Sequence, residues 1–202
     1  MRVITSADAA WGGFGWGVLP VPEPGENPRL PRAPIGHGHI SVGQHVRRTQ
    51  DLFRALDDQI LPCLAGHEVV MASSEKPGMF SFMGNQPAIC YGIGTACGVF
   101  QAWVVSRLGL EPVEVDLQAW RRWWVLRGAK KEDLKLASCQ LTDALWGEAL
   151  LSRYPYRKAD GGARGDVSDA CLQGGLVAGC AGGLVPMSAF TNPKPVRKAK
   201  KK

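Results

Sequence analysis

The 202-residue chain lacks the cysteine spacing of a zinc site or a redox pair. Its six cysteines (63, 90, 97, 139, 171 and 180) contain no CxxC, and most stand in apolar stretches, where a thiol behaves as a small hydrophobe. The expectation is a reducing compartment and no structural disulfide. A convincing membrane span is also missing. Residues 77–106 and 170–190 carry no charge, yet the first holds Asn85, Gln86 and Gln101, and the second holds five glycines and Pro186. Both read as buried packing helices. No leader with an apolar run opens the chain, because MRVITSADAA enters a strand-like stretch at once. No repeat of about 20–50 residues is visible, which excludes a solenoid. No Ser or Cys nucleophile with a paired base stands out.

What is present is an ordinary globular composition, 45% hydrophobic and 21% charged, which excludes global disorder and a coiled coil. The net charge of +6 is unevenly placed. The last nine residues, KPVRKAKKK, hold six of the 24 Lys and Arg and no acid, so the body balances 18 basic against 18 acidic residues. Such tails are commonly unstructured and contact polyanions. We expect one domain over 1–190 and a basic tail over 191–202.

Val3–Ala7 reads as a strand ending at Asp8, and Phe14–Leu19 as its hairpin partner across a Gly12–Gly13 turn. Residues 20–35 hold six prolines and read as a loop. Gly36–Val42 suits a short edge strand. Val46, Phe53, Leu56, Ile60 and Leu64 mark a helix over Val46–Leu64, stopped by Gly66. His67–Ser73 is a compact apolar strand running into Glu75. Residues 76–90 read as a loop, Tyr91–Leu108 as a buried helix, Pro112–Leu117 as a strand, and Lys131–Leu151 as an amphipathic helix. Asp166–Ala181 reads as a last helix with Asp166 at its N-cap. Strands that open as a hairpin and then alternate with helices predict a mixed-sheet α/β domain.

Four acids suggest a site. Asp8 and Glu75 each end a strand, and Asp166 and Asp169 share one face of a helix start. Those are the places where an α/β sheet gathers functional groups. Each acid alone has an ordinary reading: a turn residue, a surface acid, a helix cap. Jointly they would repel one another unless cations filled the gap, and an all-oxygen set suits Mg²⁺ or Mn²⁺. Two such ions clamp the attacking water and the leaving oxygen of a phosphodiester. His37 and His39 form an H-x-H pair without a third ligand nearby in sequence, and read as loop histidines.

Taken in order, these features resemble the RuvC-type Holliday-junction resolvases of the RNase H-like superfamily, with their phage and chloroplast relatives. The resemblance is carried by the opening strand with Asp8 and Gly15-Trp16-Gly17-Val18, then by Glu75-Lys76-Pro77 before the glycine-rich Tyr91–Gly98 stretch. Trp120-Arg121 with the Lys-rich helix start follows, and Asp166-Val167-Ser168-Asp169-Ala170 closes the set. Together they span roughly residues 1–182. Asp8-Ala9-Ala10-Trp11 departs from the family's early glycine after the first acid.

The resemblance implies an RNase H-like mixed five-stranded sheet flanked by helices. It also implies a homodimeric endonuclease that resolves four-way DNA junctions by paired symmetric nicks. Asp8, Glu75, Asp166 and Asp169 match the family's ligands for two Mg²⁺ or Mn²⁺ ions, with Lys130, Lys131 or Lys135 near the scissile phosphate. A cytoplasmic setting is expected, nucleoid-associated or in a phage-infected host, or an organelle for a trimmed mature form.

Basic residues flank the acids in sequence. Arg121, Arg122, Arg127, Lys130, Lys131 and Lys135 face two acids, and Arg153, Arg157, Lys158 and Arg164 face one, a pattern suited to phosphate contacts. Met79, Phe80 and Phe82 follow Glu75 and suit insertion at an opened junction, or packing beneath their loop. Trp120, Trp123 and Trp124 read as core or interface anchors. Nucleases of other branched DNA or of RNA–DNA hybrids share the fold, and a non-catalytic junction-binding protein with relic acids is the reading from another class. An actin-like ATPase would need a second phosphate loop, which 202 residues with a single copy do not offer.

Overall fold

The structure, a computed structural model, describes residues 1–10, 13–41, 49–76, 87–126, 131–157 and 162–190, with the backbone alone for 87–90 and 131–132. Five strands form one mixed sheet: β1 (Arg2–Ala9), β2 (Phe14–Pro20), β3 (Gly36–Ile40), β4 (Glu68–Glu75) and β5 (Val113–Val115). Their order is β3-β2-β1-β4-β5. The two leading pairs are antiparallel, whereas β4 runs parallel to both β1 and β5. Five α-helices complete the fold: α1 (Thr49–Leu64), α2 (Pro87–Trp103), α3 (Leu117–Trp123), α4 (Lys131–Trp146) and α5 (Gly162–Ala181). The expected mixed α/β architecture is the observed one.

Strand alternation divides the interior in two. Val3, Ala7, Trp16, Val18 and Ala72 point toward α1 and α2. There Leu52, Leu56, Ile60 and Leu64 form one stripe of α1 at four-residue spacing, each side chain contributing about 1.5–3 kcal/mol on burial. Phe53, expected on that stripe, lies at its edge beneath the Arg107 guanidinium. On the other face Ile4, Leu19 and Val115 meet Trp120, Trp124, Leu172 and Leu176. Trp120 and Trp124 are core residues, and Trp123 is partly buried against the same cluster.

The proline-rich segment 20–35 is a surface loop, exposed over most of its length and anchored to the body at a few points. Trp146 Nε1 donates to the Pro31 carbonyl at 2.9 Å. The Arg29 guanidinium stacks 4.4 Å from the Trp123 ring centre and donates to the Trp123 carbonyl. Pro28 and Pro31 lie against Gly179 and Gly175 of α5.

Three helix boundaries differ from the sequence expectation. Helix α2 begins at Pro87 rather than Tyr91, since proline suits a first helical turn where its missing N–H costs nothing. Its glycines are not packed: Gly94 and Gly98 have no atom within 4 Å of a would-be Cβ, and Tyr91 is 61% exposed. The strand expected over Pro112–Leu117 stops at Val115, because Asp116 caps α3 by accepting from the Gln118 and Ala119 amides. Helix α4 stops at Trp146, where Gly147 turns the chain at φ +88°, and a short 3₁₀ turn follows. Helix α5 starts at Gly162, so Asp166 lies one turn inside it and is not the cap.

Helix α5 is buried from Gly165 to Cys180 and crosses behind β1 and β2, as befits a helix without a polar stripe. Its approach depends on Gly15. A Cβ there would stand 2.3 Å from the Asp166 carbonyl oxygen, a backbone atom that no rotamer change can move aside. Gly15→Ala is expected to lower stability by about 1–3 kcal/mol, the usual range for overpacking. Urea denaturation measures this, and an unchanged midpoint would show that α5 does not depend on the close approach.

Candidate active site

Strand pairing brings Asp8 and Glu75 together. The parallel register ends at Ala7 beside Ser74, so each acid stands one residue past the last paired position on neighbouring strands. Asp8 shares the α5-facing side with Ile4 and Ser6, by period-two alternation. Asp166 and Asp169, three apart on α5, look back at it. Helix α4 supplies Lys135, which is 6% exposed.

The Lys135 ammonium is the centre of the arrangement. Its Nζ lies 2.6 Å from Asp169 Oδ2, 3.3 Å from Asp166 Oδ1 and 3.4 Å from Asp8 Oδ2. Burial works against its charge, but Asp169, Asp8 and Asp166 together outweigh that and raise its pKa well above the ordinary lysine value. Glu75 is held separately: Trp120 Nε1 donates to its Oε2 at 3.2 Å. The second oxygen of Asp166 has its own neighbour, His39 Nε2 at 3.4 Å.

One ammonium does not neutralise four acids. Burial pushes the Asp8 carboxyl up and the nearby aspartates add to it, so that it stands at about 6 despite Lys135. Glu75 goes further, to about 8, through burial and then the charges of Asp8 and Asp169, which Arg121 and Lys135 only partly offset. Asp166 is raised by burial but ends below the usual range, because the His39 hydrogen bond and Lys135 dominate. Asp169 Oδ1 is buried with no hydrogen-bond partner, as is Gln173 Oε1 one turn further along α5. Buried polar atoms of this kind call for a ligand, an ion or water.

The donor set is therefore all-carboxylate, short of positive charge, and contains an orphaned buried oxygen. That chemistry fits hard divalent cations. Among the described residues, no group of three or more His, Cys, Asp or Glu side chains stands ready to hold a metal ion; the Lys135 ammonium occupies the middle of the aspartates.

The other sequence-derived candidates divide clearly. Arg121 lies beside the site, its guanidinium 5.3 Å from the Trp120 ring centre. Arg122 and Arg157 are exposed. Arg164 is matched within the chain, donating to both oxygens of Asp143 at 2.8 and 2.6 Å. Met79, Phe80, Phe82, Arg127, Lys130 and Lys158 lie outside the described residues, as do the side chain of Lys131 and the tail from 191 onward. His37 and His39 are strand residues of β3, not loop histidines. Being two apart, they share the α5 face. His37 is taken up by Tyr154, whose hydroxyl is 3.0 Å from Nδ1, and burial beside Arg153 lowers its pKa to about 4. His39 joins the aspartates, and the signal for it was the H-x-H spacing itself.

No family model matches this sequence, and no curated protein matches it. The fold does match solved structures. Thermus thermophilus RuvC in complex with a Holliday junction substrate superposes with a TM-score of 0.55 at 13% identity, covering 90% of this chain and 97% of that one. A second structure of Thermus thermophilus RuvC gives 0.54 at 13% identity, with the same coverage. The chain thus has the RNase H-like α/β fold of RuvC. Among the described residues, no helix is long and apolar enough to cross a membrane.

The raised carboxyls make stability depend on pH. Below about pH 4 both acids are protonated in the folded and the unfolded chain alike. Above that, the folded protein keeps protons that the unfolded chain releases, so stability falls as pH rises through about 6 for Asp8 and about 8 for Glu75. In EDTA, the melting temperature should fall from about pH 4 to about pH 8, and Glu75→Gln should flatten the upper half of that decline. Parallel curves for the two proteins would contradict the assignment.

Proposed function

We propose that this chain is a metal-dependent endonuclease that resolves four-way DNA junctions by paired symmetric nicks. The observation that carries the reading is the gathering of Asp8, Asp166 and Asp169 around one buried point, with Glu75 electrostatically coupled to it. This gathering lies in a fold that matches RuvC over nine-tenths of the chain.

Asp8, Glu75, Asp166 and Asp169 would hold two Mg²⁺ or Mn²⁺ ions. Bound there, the ions supply Lewis-acid polarisation of a phosphodiester and activation of the attacking water. The chain's own residues do the rest. Trp120 fixes one oxygen of Glu75. Lys135 releases the aspartates and turns its charge toward the scissile phosphate, with Lys130 and Lys131 as further candidates. Arg121, Arg122, Arg127, Arg157 and Lys158 contact the phosphate backbone, which positions DNA without reading bases, and Met79, Phe80 and Phe82 meet bases at the junction centre. Arg164 contributes less, because Asp143 already matches its charge. A four-way junction has near two-fold symmetry, so two cuts require an isologous homodimer. The uncharged, exposed glycine face of α2 supports such an association.

One observation favours a second reading. The Lys135 ammonium neutralises part of the cluster without any metal, as a non-catalytic junction-binding protein with relic acids would require. Cleavage of a labelled immobile four-way junction in Mg²⁺, Mn²⁺ or EDTA separates the two. Paired symmetric nicks that need metal are expected. Asp8→Asn and Glu75→Gln should each reduce cutting by more than the roughly 10–100-fold typical of losing an outer-sphere partner. Tight junction binding without cutting in any metal would overturn the enzyme reading, and faster cutting of flaps or RNA–DNA hybrids would move the substrate.

A further inference from the structure

We propose that His39 is a positioning residue of the carboxylate cluster: its imidazole holds the outer oxygen of Asp166 so that the inner one faces the shared cation position. The inference rests on the cation site of the nuclease reading.

The two oxygens of Asp166 have separate partners. Oδ1 lies 3.3 Å from Lys135 Nζ, at the point shared with Asp8 and Asp169. Oδ2 turns away from that point, 3.4 Å from His39 Nε2. The pair is sheltered, with side-chain exposures of 13% for His39 and 10% for Asp166. An imidazole N–H donated to one carboxylate oxygen fixes the orientation of the group and keeps it ionised, with the other oxygen free to face the shared point. That is how outer partners tune the ligands of a metal.

Local structure is built around this contact. In the β2–β3 register His39 sits opposite Gly15, the glycine that admits the Asp166 backbone to the sheet. The same register therefore delivers the helix turn carrying Asp166 and the strand residue that meets it. Gly13 keeps the space open: a Cβ there would stand 2.0 Å from His39 Nε2 and 3.1 Å from Asp166 Oδ2. The other histidine of the strand, His37, is occupied by Tyr154 and Arg153, which leaves His39 as the member of the pair assigned to the site.

A divalent cation in the place of the Lys135 ammonium would be held in part by Asp166, with His39 remaining on its other oxygen. Losing the imidazole should then weaken cation binding without removing a ligand. The test is Mn²⁺ binding to the full chain in the absence of DNA, by calorimetry or by electron paramagnetic resonance of free Mn²⁺. Wild type, His39→Ala, His39→Gln and Gly13→Ala are compared, and melting in EDTA is recorded for each.

His39→Ala is expected to raise the Mn²⁺ dissociation constant about 10–100-fold. Gly13→Ala should do the same by displacing the ring. His39→Gln keeps an N–H donor at a similar reach and should recover most of the affinity. Unchanged Mn²⁺ affinity in His39→Ala, with or without a lower melting temperature, would overturn the proposal while leaving the cation site intact. His39→Gln behaving like His39→Ala would overturn the donor role. A wild-type chain that binds no Mn²⁺ would remove the site itself, and the nuclease reading with it.

Discussion

Lys135 and the three aspartates around it hold together parts of the chain that are far apart in sequence. The ammonium touches β1 through Asp8 and α5 through Asp166 and Asp169, and it is carried by α4. None of the four groups is more than about a tenth exposed, so each would be costly to leave uncompensated. Removing one partner of a buried ion pair typically costs about 3–5 kcal/mol, because the charge left behind stays buried. The central strand β1, helix α5 and helix α4 are thus locked at one point by electrostatics, while the two apolar layers pack elsewhere.

That lock leaves charge unbalanced, and the imbalance turns a structural device toward chemistry. Asp8 and Glu75 are pushed up toward neutrality, and Asp169 keeps an oxygen without a partner. A lysine is a point charge with three donors; a divalent cation brings more charge and accepts more oxygens. In the proposed reading the same aspartates serve the ammonium in one state and cations in the other, while Trp120 holds Glu75 and His39 holds Asp166. The RNase H-like frame positions these groups, and the substrate follows from the surfaces around them rather than from the frame.

Much of this was legible before any coordinates. Asp8 and Glu75 follow apolar strand runs, so their place at strand ends is legible from where those runs stop. The spacing of Asp166 and Asp169 sets them on one helix face, but it reads Asp166 as the cap, whereas the helix begins one turn earlier. The helix opens with Gly162-Ala163-Arg164-Gly165, which shows no apolar periodicity. Lys135 could not be separated from Lys130 and Lys131, because helical spacing gives relative angles and not which face meets the rest of the fold. His39 lies in a stretch that reads as an edge strand, but its partner Asp166 is 127 positions away, so the H-x-H spacing alone does not show what the ring meets. The short helix α3 was hidden by its aromatic and basic composition, although Asp116 was available as its cap.

The central claim is that the carboxylates around Lys135 form a cation site that the ammonium occupies in the absence of metal. Crystals of the full chain soaked in Mn²⁺ test it most directly, through anomalous scattering. The account predicts anomalous peaks among Asp8, Glu75, Asp166 and Asp169, with the Lys135 ammonium withdrawn from Asp169. Lys135 still seated among the aspartates, with no peak beside them, would contradict it.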